Sequence, residues 1–208
     1  MSNDNNKEEK EIKIILLGET GVGKTNIITR YLNNTFNEDS ITTNSTSYMM
    51  KIIQRSKVIY RLNIWDTAGE ERFRCITRNF LQDASIILLV YSIIDINSFE
   101  GLDYWYKTVS EICDPNAAIV VVGNKSDLFM DQEVKDEEAK HFAEEKGALF
   151  KLVSAKLDKK GIDVLFDEAL DRYIEKNKNN NNAVRKSNIK ILSGKNDKKN
   201  KKKKKKKC

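Results

Sequence analysis

"KIILLGETGVGKTNIITRYL", Lys13–Leu32, decides how the rest of the chain is read. Ile12–Gly18 is an apolar run suited to a buried strand, and "KTNIITRYL" continues it with apolar residues at helical spacing. Between them "GETGVGKT", Gly18–Thr25, fits G-x-x-x-x-G-K-[ST] in the strand–loop–helix setting that this motif needs. Gly18, Gly21 and Gly23 let backbone N–H groups turn inward around phosphates, which makes Glu19, Thr20 and Val22 part of the same cradle. Lys24 is placed to reach the β- and γ-phosphates, and the Thr25 hydroxyl to ligate Mg²⁺. The helix N-terminus adds positive potential.

Working outward, the pattern repeats. Tyr48–Arg55 and Val58–Trp65 read as strands; in the second, Tyr60, Leu62 and Ile64 alternate with Arg61 and Asn63. Strand Ile86–Tyr91 precedes a helix from about Ser98 to Ile112. Strand Ile119–Gly123 precedes a helix from about Asp136 to Lys146, closed by Gly147. Strand Phe150–Val153 precedes a last helix from about Gly161 to Lys176. Strands alternating with helices predict an α/β fold: a doubly wound, mainly parallel six-stranded sheet flanked by helices. Ligands bind such sheets beyond the carboxyl ends of the strands.

Three further loops fall there. Asp66 ends a strand and can hold Mg²⁺ through water, while Gly69 can offer its N–H to a γ-phosphate. "NKSD", Asn124–Asp127, follows "VVVG": the Asp127 carboxylate can accept from both N1–H and the N2 amine of guanine. Adenine lacks that pair of donors and would leave the carboxylate unpaired. Asn124 can bond the base and the loop, and the Lys125 stem can cover the ring. "SAK", Ser154–Lys156, follows the last strand and would present the Ala155 N–H to guanine O6. Each short motif alone also fits an ordinary surface turn; the four together, in this order, point to a guanine nucleotide.

The 208 residues suit one domain with tails. No apolar run approaches the roughly 20 residues needed to cross a bilayer. "MSNDNNKEEKE" has no apolar segment of a secretory signal, so a cytosolic protein is expected. Cys75, Cys113 and Cys208 are too few and too scattered for a disulfide framework or zinc site. His141, inside "EEAKHFAEE", reads as an exposed helix residue. The net charge of +6 is unevenly spread: from Asn177 onward 14 Lys/Arg face one Asp, while the preceding residues sum to −7. The expected organisation is a disordered start over 1–10, a globular domain over 11–176 and a disordered polybasic tail over 177–208.

The four loops resemble those of the Ras superfamily of small GTPases, over about residues 11–176. "WDTAGEERFRCIT", "LLVYSIIDINSFEGLDYW" and "VGNKSDL" are most similar to the Rab family of membrane-traffic regulators. The resemblance implies the P-loop small-GTPase fold, GTP hydrolysis with Mg²⁺, and partners that act as effectors, exchange factors and GTPase-activating proteins. It places Phe36, twelve residues after Lys24, on the edge of guanine. It makes Thr43, nineteen after Lys24, the threonine that ligates Mg²⁺ and senses the γ-phosphate, with Thr42 an adjacent competitor. Thr25, Thr43 and Asp66 are then the expected metal ligands. Thr35–Tyr48 and Thr67–Phe80 would be the two switches, ordered by GTP and released after hydrolysis.

The sequence departs from the family in three places. Where Rab proteins usually carry Ile-Gly-Val-Asp-Phe after the switch threonine, this chain has Asn44-Ser45-Thr46-Ser47-Tyr48, on the face that meets effectors. Where they have Tyr-Tyr-Arg-Gly-Ala, it has Phe80-Leu81-Gln82-Asp83-Ala84. Glu70 stands where the family has a Gln that orients the attacking water. A glutamate can accept the water's proton, yet it has no amide hydrogen to give the phosphoryl oxygens, and its charge faces an anionic triphosphate. Catalysis is therefore assigned to Lys24, Thr43, Gly69 and Glu70, with slow intrinsic hydrolysis.

Rab proteins end in a flexible segment with prenylated cysteines. Here Cys208 alone ends the chain after Lys201–Lys207, without a C-a-a-X box. One prenyl chain anchors weakly, and seven lysines could supply the second signal on an anionic membrane, at roughly 1 kcal/mol each. Ile189-Lys190-Ile191 resembles the apolar pair that Rab-processing machinery grips. The expected location is the cytoplasmic face of intracellular membranes, with a cytosolic pool and no nucleic-acid partner. Two rivals stand beside this reading: a GTP-bound scaffold that scarcely hydrolyses, and a nuclear or RNA-associated GTPase using its basic tail.

Overall fold

The computed structural model describes residues 8–38, 47–67 and 80–178. Thr43, Gly69, Glu70, Cys75, Cys208 and the lysine run lie outside the described residues. The chain divides into two units, Met1–Tyr173 and Ile174–Cys208; the second is described at residues 174–178, which are helical.

The first unit carries one six-stranded sheet in the order β2-β3-β1-β4-β5-β6. Its strands are β1 (Glu8–Leu17), β2 (Ser47–Arg55), β3 (Val58–Asp66), β4 (Ile86–Ser92), β5 (Ala118–Asn124) and β6 (Leu149–Leu152). Among the described strands only β2 runs antiparallel to its neighbour, through the tight turn to β3. Among the described residues the α-helices around it include α1 (Lys24–Asn33), α2 (Ile96–Glu100), α3 (Leu102–Ile112), α4 (Asp136–Glu145) and α5, residues 159–173 within this unit. The expected α/β architecture and its mainly parallel sheet are found.

Side-chain alternation along the strands builds a layer on each face. Ile15, Leu17, Leu89, Tyr91 and Val121 point to one side, where they pack with Phe99, Trp105, Val109 and Ala139 of α2–α4. On α1, Ile27, Ile28 and Tyr31 are buried, and Tyr31 stacks on Phe166 of α5 with ring centroids 3.8 Å apart. β4 is buried at every position, as expected for a central strand covered on both faces.

Three elements differ from expectation by more than a single residue at an end. Residues 8–10, assigned to the polar start, belong to β1 and pair with Val58–Tyr60. Their side chains are exposed; the parallel ladder with β3 needs only backbone N–H and C=O groups, which carry no apolar signature. The helix expected over Ser98–Ile112 is two helices meeting at Gly101, and it begins earlier because Asp95 Oδ1 accepts the Ser98 N–H at 3.2 Å. The last helix begins at residue 159 rather than Gly161, since Asp158 Oδ1 caps it by accepting the Gly161 N–H at 2.7 Å. Gly147 closes α4 with φ +63°. Among the described residues no helix is long and apolar enough to cross a membrane.

Candidate nucleotide site

The loops after β1, β5 and β6 meet the end of β3 at the carboxyl edge of the sheet. Gly18 and Gly23 hold positive φ in places where any side chain would collide: a Cβ would fall 2.0 Å from the Val90 carbonyl oxygen at Gly18 and 2.4 Å from Asn124 Nδ2 at Gly23. Gly23 caps α1, so the loop ends at the helix N-terminus. Lys24 is buried, and its Nζ donates to the carbonyls of Gly18 at 2.8 Å and Glu19 at 2.9 Å. Thr25 Oγ1 donates to Asp66 Oδ2 at 2.7 Å, joining α1 to the end of β3. The other oxygen, Asp66 Oδ1, is buried without a hydrogen-bond partner. A buried carboxylate oxygen lacking a donor, next to a threonine hydroxyl, is a hard-oxygen pair that fits Mg²⁺. Thr67 Oγ1 donates to the Leu16 carbonyl at 2.5 Å and fixes the exit of β3 against β1.

On the base side, Asn124 is the tie. Its Nδ2 donates to the Val22 carbonyl at 2.8 Å, and its Oδ1 accepts the Ala155 N–H at 3.1 Å. One buried side chain thus joins the phosphate loop, "NKSD" and "SAK". Ser154 Oγ donates to Asp127 Oδ1 at 2.5 Å, orienting the carboxylate. Lys125 adopts φ +64°, the left-handed region, on the turn that presents Asp127. Asn26 of α1 grips the Asn37 backbone from both sides, donating to its carbonyl at 3.0 Å and accepting its N–H at 3.2 Å. Lys156 binds Glu38 Oε1 at 2.8 Å with its Nζ 6.0 Å from the Phe36 ring centroid. Phe36 is therefore held beside "SAK". The predicted residues Gly18–Thr25, Phe36, Asp66, Asn124–Asp127 and Ser154–Lys156 lie around one edge of the sheet.

The Ras family model matches residues 13–175. Rab-25 of Bos taurus is 35% identical over 183 residues, covering 88% of this chain and 85% of that protein. RABA1i of Arabidopsis thaliana is 39% identical over 158 residues, covering 76% and 72%. Rab-11B of Dictyostelium discoideum is 35% identical over 187 residues, covering 86% and 84%. The chain belongs to the Rab family of Ras-superfamily small GTPases. It is a GTPase of a family of GTP-binding regulators of vesicle traffic.

Burial brings the Lys24 ammonium of this Rab-family protein down to about 8, although the Asp66 and Glu19 carboxylates work the other way. Burial likewise raises Asp66, against the Thr25 hydrogen bond and the Lys24 charge. The site thus keeps a cation and an anion in a partly dry place. From β2 and β3 outward, Tyr48, Trp65 and Phe80 form a series of rings with centroids 5.2 and 5.3 Å apart. Away from the site, Cys113 is a free thiol pushed up to about 11 by burial, and His141 is exposed on α4.

Two residues of the site escaped the motifs. Arg30, in the last turn of α1, donates from Nε to the Ala155 carbonyl and from its terminal nitrogen to the Lys156 carbonyl, both at 2.7 Å. Trp105 of α3 reaches the Glu19 side chain. Neither stands out in the sequence, because each acts across a distance that no local spacing encodes.

Proposed function

We propose that the chain is a slow Rab-type switch that binds GTP and GDP with Mg²⁺ and regulates a step of membrane traffic. The observation that carries this reading is the Asn124 tie, which holds the Gly18–Thr25 cradle and the Asp127–Ala155 base loops in one frame. Backbone N–H groups of Glu19–Gly23 would surround the phosphates, and Lys24, steadied by its two carbonyl bonds, would turn its third N–H to the phosphate oxygens. Thr25 and Asp66, joined in the GTP state by Thr43, would hold Mg²⁺, which when bound neutralises charge on the β- and γ-phosphates. Phe36 and the Lys125 stem would cover the guanine, Asp127 would accept from N1–H and N2, and Ala155 would donate to O6. Gly69 would donate its N–H to the γ-phosphate.

Glu70 would hold the attacking water as an acceptor without stabilising the phosphoryl oxygens, so turnover is slow. Attachment to an anionic membrane surface would come from Lys201–Lys207 together with prenylated Cys208. The test is a single turnover of GTP-loaded protein with Mg²⁺, beside Glu70→Gln. Hydrolysis on the order of 10⁻⁴ per second, the intrinsic small-GTPase scale, supports a timed switch. Retention of GTP by the wild type while Glu70→Gln turns over supports the second reading, a GTP-bound scaffold that Glu70 itself favours.

A further inference from the structure

We propose that Trp105 is a positioning residue for Lys24, acting through Glu19. The inference rests on the reading that Lys24 meets the nucleotide phosphates. The Trp105 side chain is 1% exposed, and its Nε1–H donates to Glu19 Oε1 at 3.2 Å across 86 residues of sequence. A buried indole N–H needs an acceptor, and here the acceptor is a side chain of the phosphate loop. The residue that caps the same helix also approaches Glu19: a Cβ at Gly101 would lie 3.0 Å from Glu19 Oε1.

Glu19 is thereby held from two directions. Its carboxylate is fixed by α3, and its backbone carbonyl accepts from Lys24 Nζ at 2.9 Å. The neighbouring Gly18 carbonyl takes the other Lys24 hydrogen bond at 2.8 Å. Turning the Glu19 peptide to free its side chain would also move the carbonyl that steadies the buried ammonium. Helix α3 contributes no residue to the four nucleotide motifs, yet it sets the loop geometry from which Lys24 reaches outward.

The experiment measures GDP release from the full chain, loaded with a fluorescent GDP in excess Mg²⁺, alongside thermal melting. Trp105→Phe and Glu19→Ala each release GDP about threefold to tenfold faster than wild type, the range for one lost hydrogen bond. The double variant is no faster than the faster single one. Glu19→Gln, which keeps an oxygen for the indole, releases GDP more slowly than Glu19→Ala. Val109→Ala, in the core on the same helix, lowers the melting temperature without speeding release. Gly101→Ala crowds Glu19 without touching the indole and speeds release, so the proposal stays testable if Trp105→Phe does not fold. Release from Trp105→Phe at the rate of wild type overturns the proposal, as does multiplication of the two single effects or equal behaviour of Glu19→Gln and Glu19→Ala. A wild-type chain that retains no guanine nucleotide overturns the functional reading itself, and this inference with it.

Discussion

Thr25 Oγ1 and Asp66 Oδ2 lie 2.7 Å apart, bringing the first residues of α1 against the end of β3. The bond engages one carboxylate oxygen and leaves Asp66 Oδ1 buried without a partner. Thr25→Val removes the donor and isolates the carboxylate further. The nucleotide-free protein should lose about 1–3 kcal/mol by chemical denaturation. Chelation of Mg²⁺ should accelerate GDP release from the wild type far more than from Thr25→Val. Equal chelator sensitivity in both proteins would remove Thr25 from the metal site.

Asn124→Ala should be among the most damaging single changes in the site. It strips a donor from the Val22 carbonyl and an acceptor from the Ala155 N–H, in a residue only 2% exposed. Leaving buried partners unsatisfied costs about 1–3 kcal/mol each, so GDP affinity and melting temperature should fall together. Isothermal titration and thermal melting check this. A variant that melts earlier but binds GDP as tightly as wild type would confine Asn124 to a folding role.

The response to pH follows from Lys24, whose ammonium is brought down to about 8 from 10.5. Between those values the unfolded chain holds a proton that the native, nucleotide-free protein has lost. Stability of that state therefore rises with pH across the window. Nucleotide binding has the opposite sign. Phosphates favour the charged amine, binding takes up a proton, and affinity falls as pH climbs past about 8, by up to about tenfold per unit. Titrations between about pH 7 and 9 measure the slope, and Lys24→Arg, which stays charged, should flatten it.

Arg30 clamps "SAK" by two carbonyls, so Arg30→Met should loosen the loop that presents the Ala155 N–H. GDP affinity should drop about threefold to tenfold, the scale of one or two modest hydrogen bonds. Arg30→Lys should not restore it, because a single ammonium cannot reproduce the planar fork that serves both carbonyls. Full rescue by lysine would mean that charge alone matters there.

The alternation of Tyr60, Leu62 and Ile64 with Arg61 and Asn63 placed β3 almost to the residue, and "GETGVGKT" marked the loop at the end of β1. What escaped the sequence was of another kind. The extra residues of β1 are held by a backbone ladder, which leaves no trace in side-chain polarity. The early start of α5 depended on reading Asp158 as a cap rather than as part of a charged run. Arg30 and Trp105 act on partners 125 and 86 residues away, and their roles follow from packing rather than from spacing. Roles for Thr43 and Glu70 rest on the resemblance and that of Gly69 on the strand-end loop pattern, and all three lie outside the described segments.

The bonds from Arg30 to Ala155 and Lys156, and the stacking of Tyr31 on Phe166, also set an order of events during synthesis. The phosphate loop is translated early, but its helix meets its supports only after nearly the whole domain has been made. Contacts of such long sequence separation form late and delay folding. A nascent chain therefore carries its most recognisable motif without a pocket to put it in. Nucleotide capture becomes a closing step of biogenesis, and any chain truncated before β6 would leave the ribosome with a P-loop that lacks the Ala155 loop and its Arg30 clamp.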